Sequence, residues 1–134
     1  MYLLDTSVVS ELRKPKPHGA VLVWVETADP KELYLSAVTI GEIQAGIEMT
    51  REQDTTKAQQ IERWLDQIAK HYQVLSLDAP CMRIWAQLMH RKSNTLMEDA
   101  LIAATAKQHG LTVVTRNVAD FAALGVEVVN PFVG

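Results

Sequence analysis

A chain of 134 residues is long enough to bury a hydrophobic core and too short for two ordinary domains, so one domain over residues 1–134 is expected. Hydrophobic residues make up 48% and charged residues 22% of the chain, which excludes a composition typical of disordered proteins. The net charge of −3 argues against a protein that holds nucleic acid mainly through a basic surface.

The first half of the chain alternates short apolar runs with helical patterns. Tyr2 to Leu4 is an apolar run that predicts a strand, and Thr6 and Ser7 supply helix-start side chains directly after it. Two prolines then make a basic loop that separates the first helix from the second. The further elements predicted here are a helix over 20–27, a strand over 33–36, a helix that opens at 39, an amphipathic helix over 55–72 and a strand over 74–77.

The second half continues the alternation of helices and strands. The patterns predict a helix from residue 80, a helix over 95–109, a strand over 111–115, a short helix over 120–124 and a strand over 126–129. Gly110 and Gly125 are placed to end the two last helices. Because parallel strands need crossover connections of helical length, this order predicts an α/β fold with a parallel sheet covered on both faces.

Four carboxylates are predicted to gather at the carboxyl edge of that sheet, where ligands of such folds bind. They are Asp5, Glu42, Asp99 and Asp120. Carboxylates held close together need a counter-charge, and an all-oxygen site selects a hard cation such as Mg²⁺ or Mn²⁺. A bound dication would also reverse the local field and let an acidic chain attract a polyanion.

Two glutamates have a structural alternative. Thr39 with Glu42, and Thr95 with Glu98, match the capping box Thr-x-x-Glu, in which the glutamate only satisfies a backbone amide. The spacing leaves Glu42 open between a cap and a metal ligand. For Glu98 the capping role is the prediction, because this side chain points about 100° around the helix from Asp99.

Histidine and cysteine positions do not indicate zinc or secretion. The four histidines lack a ligand spacing, and Cys81 has no second cysteine for a Cys-x-x-Cys pair or a disulfide. The sequence also has no apolar stretch of the length that a signal peptide or a membrane span needs. A cytoplasmic protein without membrane association is therefore expected.

Four segments resemble, in order, the motifs of bacterial PIN-domain ribonuclease toxins, the VapC family and its relative FitB. They are LDTSVVSEL at 4–12, SAVTIGEI at 36–43, EDALIAATA at 98–106 and VTRNVADF at 114–121, and the ending VNPF at 129–132 is similar too. The resemblance implies a three-layer α/β/α sandwich and a magnesium-dependent endoribonuclease, the toxin of a type II toxin–antitoxin system. It further implies an RNA substrate, an antitoxin encoded nearby whose tail fills the active-site groove, and a homodimer.

The same resemblance assigns roles to the acids. Asp5 and Asp99 are the expected magnesium ligands, with Mn²⁺ as an alternative ion, and Glu42 is expected to complete the cluster. Asp120 is the expected fourth acid, although some members carry an acid at the position of Asn117.

Neighbouring residues are given supporting roles by the resemblance. Thr6 and Thr115 are expected to orient the carboxylates. Ser7 stands where many members have asparagine, and its hydroxyl is still able to hydrogen-bond the turn or a metal-bound water. Arg116 is open between a contact to phosphate and a surface role.

Two other functions remain as alternatives. A haloacid-type phosphotransfer domain would use Asp5 as nucleophile, but that chemistry needs a second aspartate at the position of Ser7. A catalytically inactive PIN-fold module that binds RNA or a partner would be indicated by a missing acid, and all four are present.

Aromatic residues and one pair of helices bear on packing and partners. The three tryptophans have helical core spacing and are predicted to be structural; they are Trp24, Trp64 and Trp85. The helices around Gly46 and Ile61 are predicted to form a clamp over which a partner helix lies.

Overall fold

The structure, a computed structural model, describes residues 1–133 and consists of a parallel sheet between two layers of helices. Its strands are β1 (Tyr2–Leu4), β2 (Leu33–Ser36), β3 (Gln73–Leu75), β4 (Thr112–Val114) and β5 (Val128–Val129). Its helices are α1 (Thr6–Arg13), α2 (Gly19–Thr27), α3 (Ala37–Arg51), α4 (Thr55–His71), α5 (Ala79–Met89), α6 (Met97–His109) and α7 (Val118–Ala123). Short 3₁₀ helices occupy Pro30–Glu32 and Asn94–Leu96.

The five strands lie in the order β3-β2-β1-β4-β5, and every neighbouring pair is parallel. The central strand β1 places Leu4 beside Leu35 of β2 on one side and Val114 of β4 on the other. The chain builds one half of the sheet from β1 to β3 and then crosses to the other side of β1 for β4. This reversal puts the topological switch point, where ligands of open α/β sheets bind, at the carboxyl ends of β1 and β4.

Both faces of the sheet are buried, which explains why its strands are almost wholly apolar. Leu4 and Val114 pack into a cluster with α1 to α4 on one face. Leu3 and Val113 alternate with them and pack against α6 and α7 on the other face, with Phe121 of α7 fully buried there. The predicted three-layer α/β/α sandwich is confirmed.

Helix α3 begins two residues earlier than the sequence predicted. Ser36 is its N-cap, with the Ser36 Oγ atom accepting a hydrogen bond from the Val38 N–H at 3.1 Å. Thr39 therefore lies inside the helix, and the capping box that Thr39 and Glu42 suggested is not formed. Glu42 lies well inside α3 rather than at its start, which frees its side chain for other contacts.

The predicted capping role of Glu98 is wrong. The segment before α6 is a 3₁₀ helix capped by Ser93, whose Oγ accepts from the Thr95 N–H at 3.3 Å. Helix α6 then begins at Met97 with Leu96 as an N-cap that offers no side-chain hydrogen bond. The Thr95 N–H is thus already hydrogen-bonded to Ser93, and Glu98 does not form the capping box that the sequence suggested.

Other boundaries differ by a few residues. Helix α7 begins at Val118, with Asn117 as N-cap, and is followed by Gly125 at a φ of +76°. The last strand is only Val128–Val129, because the Val126 N–H bonds back to the Phe121 carbonyl as part of the turn. Gly110 ends α6 as predicted, in the left-handed conformation at a φ of +66°. Within residues 1–133, no helix has both the length and the apolar character needed to cross a membrane.

Candidate active site

Asp5 lies at the switch point, directly after β1, and is 3% exposed. Its backbone N–H continues the sheet by donating to the Val114 carbonyl at 2.9 Å. Its Oδ1 atom accepts from the Thr6 N–H at 2.8 Å, which makes Asp5 the N-cap of α1. Its Oδ2 atom accepts from Ser7 Oγ at 2.9 Å and from Thr115 Oγ1 at 2.8 Å. Three donors therefore hold this buried carboxylate in one orientation, which offsets the cost of its burial.

Thr115 ties the loop after β4 to that carboxylate. Its fully buried hydroxyl donates to Asp5 and accepts from the Asn117 N–H at 2.9 Å. Ser7 also donates to Asp5 and accepts a longer hydrogen bond of 3.4 Å from the Arg116 N–H. Both hydroxyls thus set the position of Asp5 relative to the segment that leads into α7.

Replacing Thr115 with valine is expected to disturb Asp5 without emptying the site. The substitution keeps the shape of the side chain but removes the donor to Asp5 and the acceptor for Asn117. Loss of a group that orients a ligand typically costs about 10–100-fold in metal affinity or activity, and the lost hydrogen bonds cost about 1–3 kcal/mol of stability. RNA cleavage and thermal melts measure the two effects, and Thr115→Ser, which keeps the hydroxyl, is expected to restore both. Cleavage by Thr115→Val at the parent rate would contradict this role.

Glu42 projects from α3 toward α1 and is half-buried. Its Oε1 atom accepts from Thr6 Oγ1 at 2.8 Å, and Thr6 Oγ1 also lies 3.0 Å from the buried Thr39 Oγ1. Burial, followed by the neighbouring Glu98 carboxyl and the charge of Asp5, raises the pKa of Glu42 from 4.5 to about 7. Thr6 opposes this rise by donating to the ionised form. Glu42 is consequently poised to exchange a proton near neutral pH.

Glu98 is the acid that the sequence analysis assigned to the wrong role. It lies in the first turn of α6, is exposed, and raises the pKa of Glu42 on α3. Glu98 and Asp99 are neighbours on one helix, but Glu98 acts on Glu42 of the facing helix α3. The signal available in the sequence was the absence of any need for a cap, because Ser93 already caps the preceding turn.

Asp99 lies beside Glu98 on α6 and is half-buried. Burial, followed by the charges of Asp5, Asp120 and Glu98, raises the pKa of Asp99 from 3.8 to about 6. The negative charge of Asp120, which is exposed on α7, therefore acts on Asp99. Asp99 is thus influenced by acids from two other parts of the chain, the residue after β1 and helix α7, as well as by its neighbour on α6.

Asp120 is the expected fourth acid of the site, and Asn117 stands at the alternative position. Asn117 is exposed and contributes its backbone, since its N–H donates to Thr115 and its carbonyl accepts from the Phe121 N–H at 3.3 Å. Asp120 contributes charge to the cluster through its effect on the pKa of Asp99. Of the two residues, only Asp120 adds a charge that acts on Asp99.

The five acids suit a hard divalent cation in their chemistry. All of them offer oxygen, and the raised pKa values of Glu42 and Asp99 arise partly from mutual repulsion that a dication would relieve. Within residues 1–133, however, no three Asp, Glu, His or Cys side chains already stand in an arrangement that holds a metal. Coordination therefore requires rotation of side chains, and Glu98 and Asp120 are exposed enough to turn.

Arg116 takes a packing position. Its guanidinium group lies 3.8 Å from the centre of the Phe132 ring, which in turn contacts the His18 ring edge-on. This cation–π contact holds the C-terminal segment against the loop after β4. Of the two roles left open for Arg116, the geometry favours the structural one.

Comparison with known proteins agrees with the resemblance of the four motifs. A family profile described as "PIN domain" matches residues 2–126. A relative called Toxin FitB, from Neisseria gonorrhoeae, is 35% identical over 98% of this chain and 99% of its own length. A relative called VapC ribonuclease Y4jK, from Sinorhizobium fredii, is 35% identical over 98% of each chain.

Solved structures share the fold over almost the whole chain. The crystal structure of FitAcB from Neisseria gonorrhoeae superposes with a TM-score of 0.88 and 34% identity, covering 100% of both chains. VapBC-5 from Mycobacterium tuberculosis, described as a member of the VapBC family of toxin–antitoxin systems, superposes with a TM-score of 0.67 and 26% identity over 96% of both chains. The family profile matches residues 2–126, and both relatives are 35% identical over 98% of this chain. This chain therefore belongs to the PIN-domain family.

Proposed function

We propose that this chain is a metal-dependent endoribonuclease and the toxin of a type II toxin–antitoxin pair. The observation that carries the proposal is the set of carboxylates from four separate segments that interact at the switch point of the sheet. Burial and mutual repulsion raise the pKa of two of them, which is typical of sites built for chemistry rather than for stability. The names of the relatives support RNA as the substrate.

The catalytic roles follow from how each acid is held. Asp5 and Asp99 are the proposed ligands of Mg²⁺ or Mn²⁺, with Asp120 as the fourth acid. A bound ion of this kind lowers the pKa of a water molecule and offsets charge on the phosphate in an in-line displacement. Asp5, fixed by three hydrogen bonds, supplies a ligand that needs no reorganisation.

Glu42 is the proposed proton acceptor. A general base is most effective when its pKa lies near the working pH, and burial together with Glu98 brings the pKa of Glu42 to about 7. Thr6 fixes one oxygen of this carboxylate by donating to it. A histidine is not required by this arrangement.

The same geometry bears on the inactive alternative. An inactive module has no reason to keep Glu42 and Asp99 as acids, because burial and neighbouring carboxylates raise their pKa values and so cost the folded chain free energy at neutral pH. The haloacid-type alternative has no second aspartate to use, since Ser7 donates to Asp5 instead.

A partner protein follows from the proposed toxin role. The VapBC-5 structure is described as a toxin–antitoxin system, and we propose that this chain is likewise inhibited by an antitoxin encoded beside it and forms a homodimer. Because the proposed substrate is cellular RNA, the compartment that we propose is the cytoplasm.

RNA cleavage by the purified chain tests the function directly. We expect degradation of single-stranded RNA with Mg²⁺ or Mn²⁺, none with EDTA, and inhibition when the product of the adjacent gene is added. Co-expression with that product is expected to yield a stable complex. Cleavage that persists in EDTA would contradict the metal, and an intact RNA under all conditions would contradict the nuclease.

A further inference from the structure

A cavity of about 270 Å³ opens beside Glu42, between α1, α3 and α4. Thr6 and Glu42 lie at its inner end, so it is continuous with the acidic cluster. Its walls come from all three helices and combine apolar side chains with the polar Ser10 and Thr50; the apolar ones are Ile43, Ile47, Ile61 and Trp64. Arg13, at the end of α1, lies at its rim.

A second cavity of about 270 Å³ continues the first one outward along α4. The two share Arg13, Ile61 and Trp64, and the second adds Lys57 and Gln60. Together they form one path that leads from Glu42 past the Trp64 side chain to Lys57. We refer to the residues shared by the two cavities together with Lys57 and Gln60 as the Trp64 groove.

The cations of the Trp64 groove are available for a ligand. Arg13 and Lys57 are exposed, and neither forms an ion pair within the part of the chain that the structure describes. By contrast, Arg51 is paired with Glu48 and Glu62, and Lys14 with Glu11. The outer cavity has no acidic residue in its lining, so its charge is complementary to an anion.

We propose that the Trp64 groove binds the nucleotide that flanks the scissile phosphate of a single-stranded RNA. The base would stack on the half-buried Trp64 ring, and Arg13 and Lys57 would contact the phosphates on either side of it. This inference rests on the proposed nuclease function and names the part of the substrate that the site recognises.

Three physical reasons favour RNA as the occupant. Single-stranded RNA presents unpaired bases that stack on aromatic side chains, and such stacking tolerates any base. Lysine and arginine neutralise phosphates with release of counterions. The inner cavity also includes Glu42, so a strand whose phosphate reaches the acids has a path along which its next nucleotide can extend.

Binding of a short fluorescein-labelled single-stranded RNA of mixed sequence, followed by anisotropy, tests the proposal. The full chain carrying Asp5→Asn serves as the parent, so that the RNA stays intact. Trp64→Leu in this parent is expected to weaken binding on the order of tenfold with an unchanged salt dependence, and Trp64→Phe by less. Arg13→Gln and Lys57→Gln are each expected to lower the slope of log K against log salt by about 0.7.

Arg63→Gln is the matched control, because Arg63 is exposed on the same helix but does not line the groove. It is expected to leave the affinity close to that of the parent. The proposal would be overturned if Trp64→Leu, Arg13→Gln and Lys57→Gln all kept the affinity and the salt dependence of the parent. Cleavage of RNA by the wild-type chain would in that case still support the proposed nuclease function. Unchanged RNA binding together with lost binding of the adjacent gene product would overturn it as well, by assigning the groove to the protein partner. Failure of the nuclease itself would instead show as wild-type chain that neither cleaves nor binds RNA.

Discussion

Asp5→Asn is expected to reduce RNA cleavage by more than about a hundredfold, because loss of groups that merely orient a metal ligand already costs about 10–100-fold. The substitution removes one negative charge from the proposed metal site and replaces a carboxylate ligand with a neutral amide, whose oxygen binds a hard cation more weakly. Quantified cleavage of RNA in Mg²⁺, at matched protein concentrations, measures the effect.

The fold is expected to survive this substitution, although Asp5 is buried. Asparagine is as good an N-cap as aspartate, so its carbonyl oxygen still accepts from the Thr6 N–H. Its NH₂ group would face the Ser7 and Thr115 hydroxyls, each of which is able to reorient and accept instead of donate. We therefore expect a melting temperature close to that of the parent.

Asp29→Asn is the matched control for Asp5→Asn. Asp29 is also an N-cap aspartate, with its Oδ1 accepting from the Lys31 N–H at 3.0 Å, but it lies in an exposed turn at the start of the first 3₁₀ helix. We expect full activity in this variant. Retained cleavage in Asp5→Asn would refute the proposed role of Asp5, and unfolding of that variant would refute its assignment as a purely chemical loss.

Magnesium is expected to raise the melting temperature of this chain at about pH 8 and to have no effect at about pH 4. At the higher pH the acids are ionised, and an ion that binds only the folded chain adds about 2.7 kcal/mol of stability at about 100 times its Kd. At the lower pH the Glu42 and Asp99 carboxyls are protonated and are poor ligands. Calorimetry or dye-based melts with and without Mg²⁺ measure the difference.

Without metal, the chain is expected to become less stable as the pH rises from about 4 to about 7. Folding raises the pKa of Glu42 from 4.5 to about 7 and that of Asp99 from 3.8 to about 6, so between these values the folded chain binds more protons than the unfolded one. The contribution of these two groups to the free energy of unfolding therefore falls as the pH rises from about 4 to about 7. Bound magnesium is expected to offset, at high pH, the free energy of unfolding that is lost when these buried and mutually repelling carboxyls ionise.

Asp99→Asn separates this explanation from a general effect of pH. The variant is expected to be more stable than the parent without metal at about pH 8 and to lose the response to Mg²⁺. Asp78→Asn is the control, because hydrogen bonds from the Cys81 N–H and Gln108 hold the pKa of Asp78 below its usual range. That variant is expected to be slightly less stable and to keep the full response to Mg²⁺. An undiminished Mg²⁺ response in Asp99→Asn would remove Asp99 from the proposed site.

The sequence alone predicts those features that depend on local pattern. The buried strands, their alternation with helices and the position of Asp5 after β1 all follow from apolar runs and turn residues. Asp99 and Asp120 were placed at the carboxyl edge by the same reasoning, and the pKa of Asp99 reflects the charges of Asp5 and Asp120. The predictions of strands, helices and turns succeed because each uses residues close together in the chain.

The sequence does not predict contacts between helices that are distant in the chain. Whether Glu42 caps a helix or faces a cluster is decided by Ser36, which takes the N-cap three residues before Thr39, where the helix was expected to open. The pairing of Glu98 with Glu42 depends on how α6 lies against α3, which no spacing encodes. The unpaired state of Arg13 and Lys57 is likewise a property of the packed structure.

The hydrogen bond from Thr115 to Asp5 joins residues that are 110 positions apart in the chain. The loop after β4 can support Asp5 only when β4 is paired with β1, so this carboxylate gains its buried hydroxyl donor through long-range packing and not from its own strand. Any local opening that separates these two strands would therefore release Asp5 from the orientation in which the folded chain holds it.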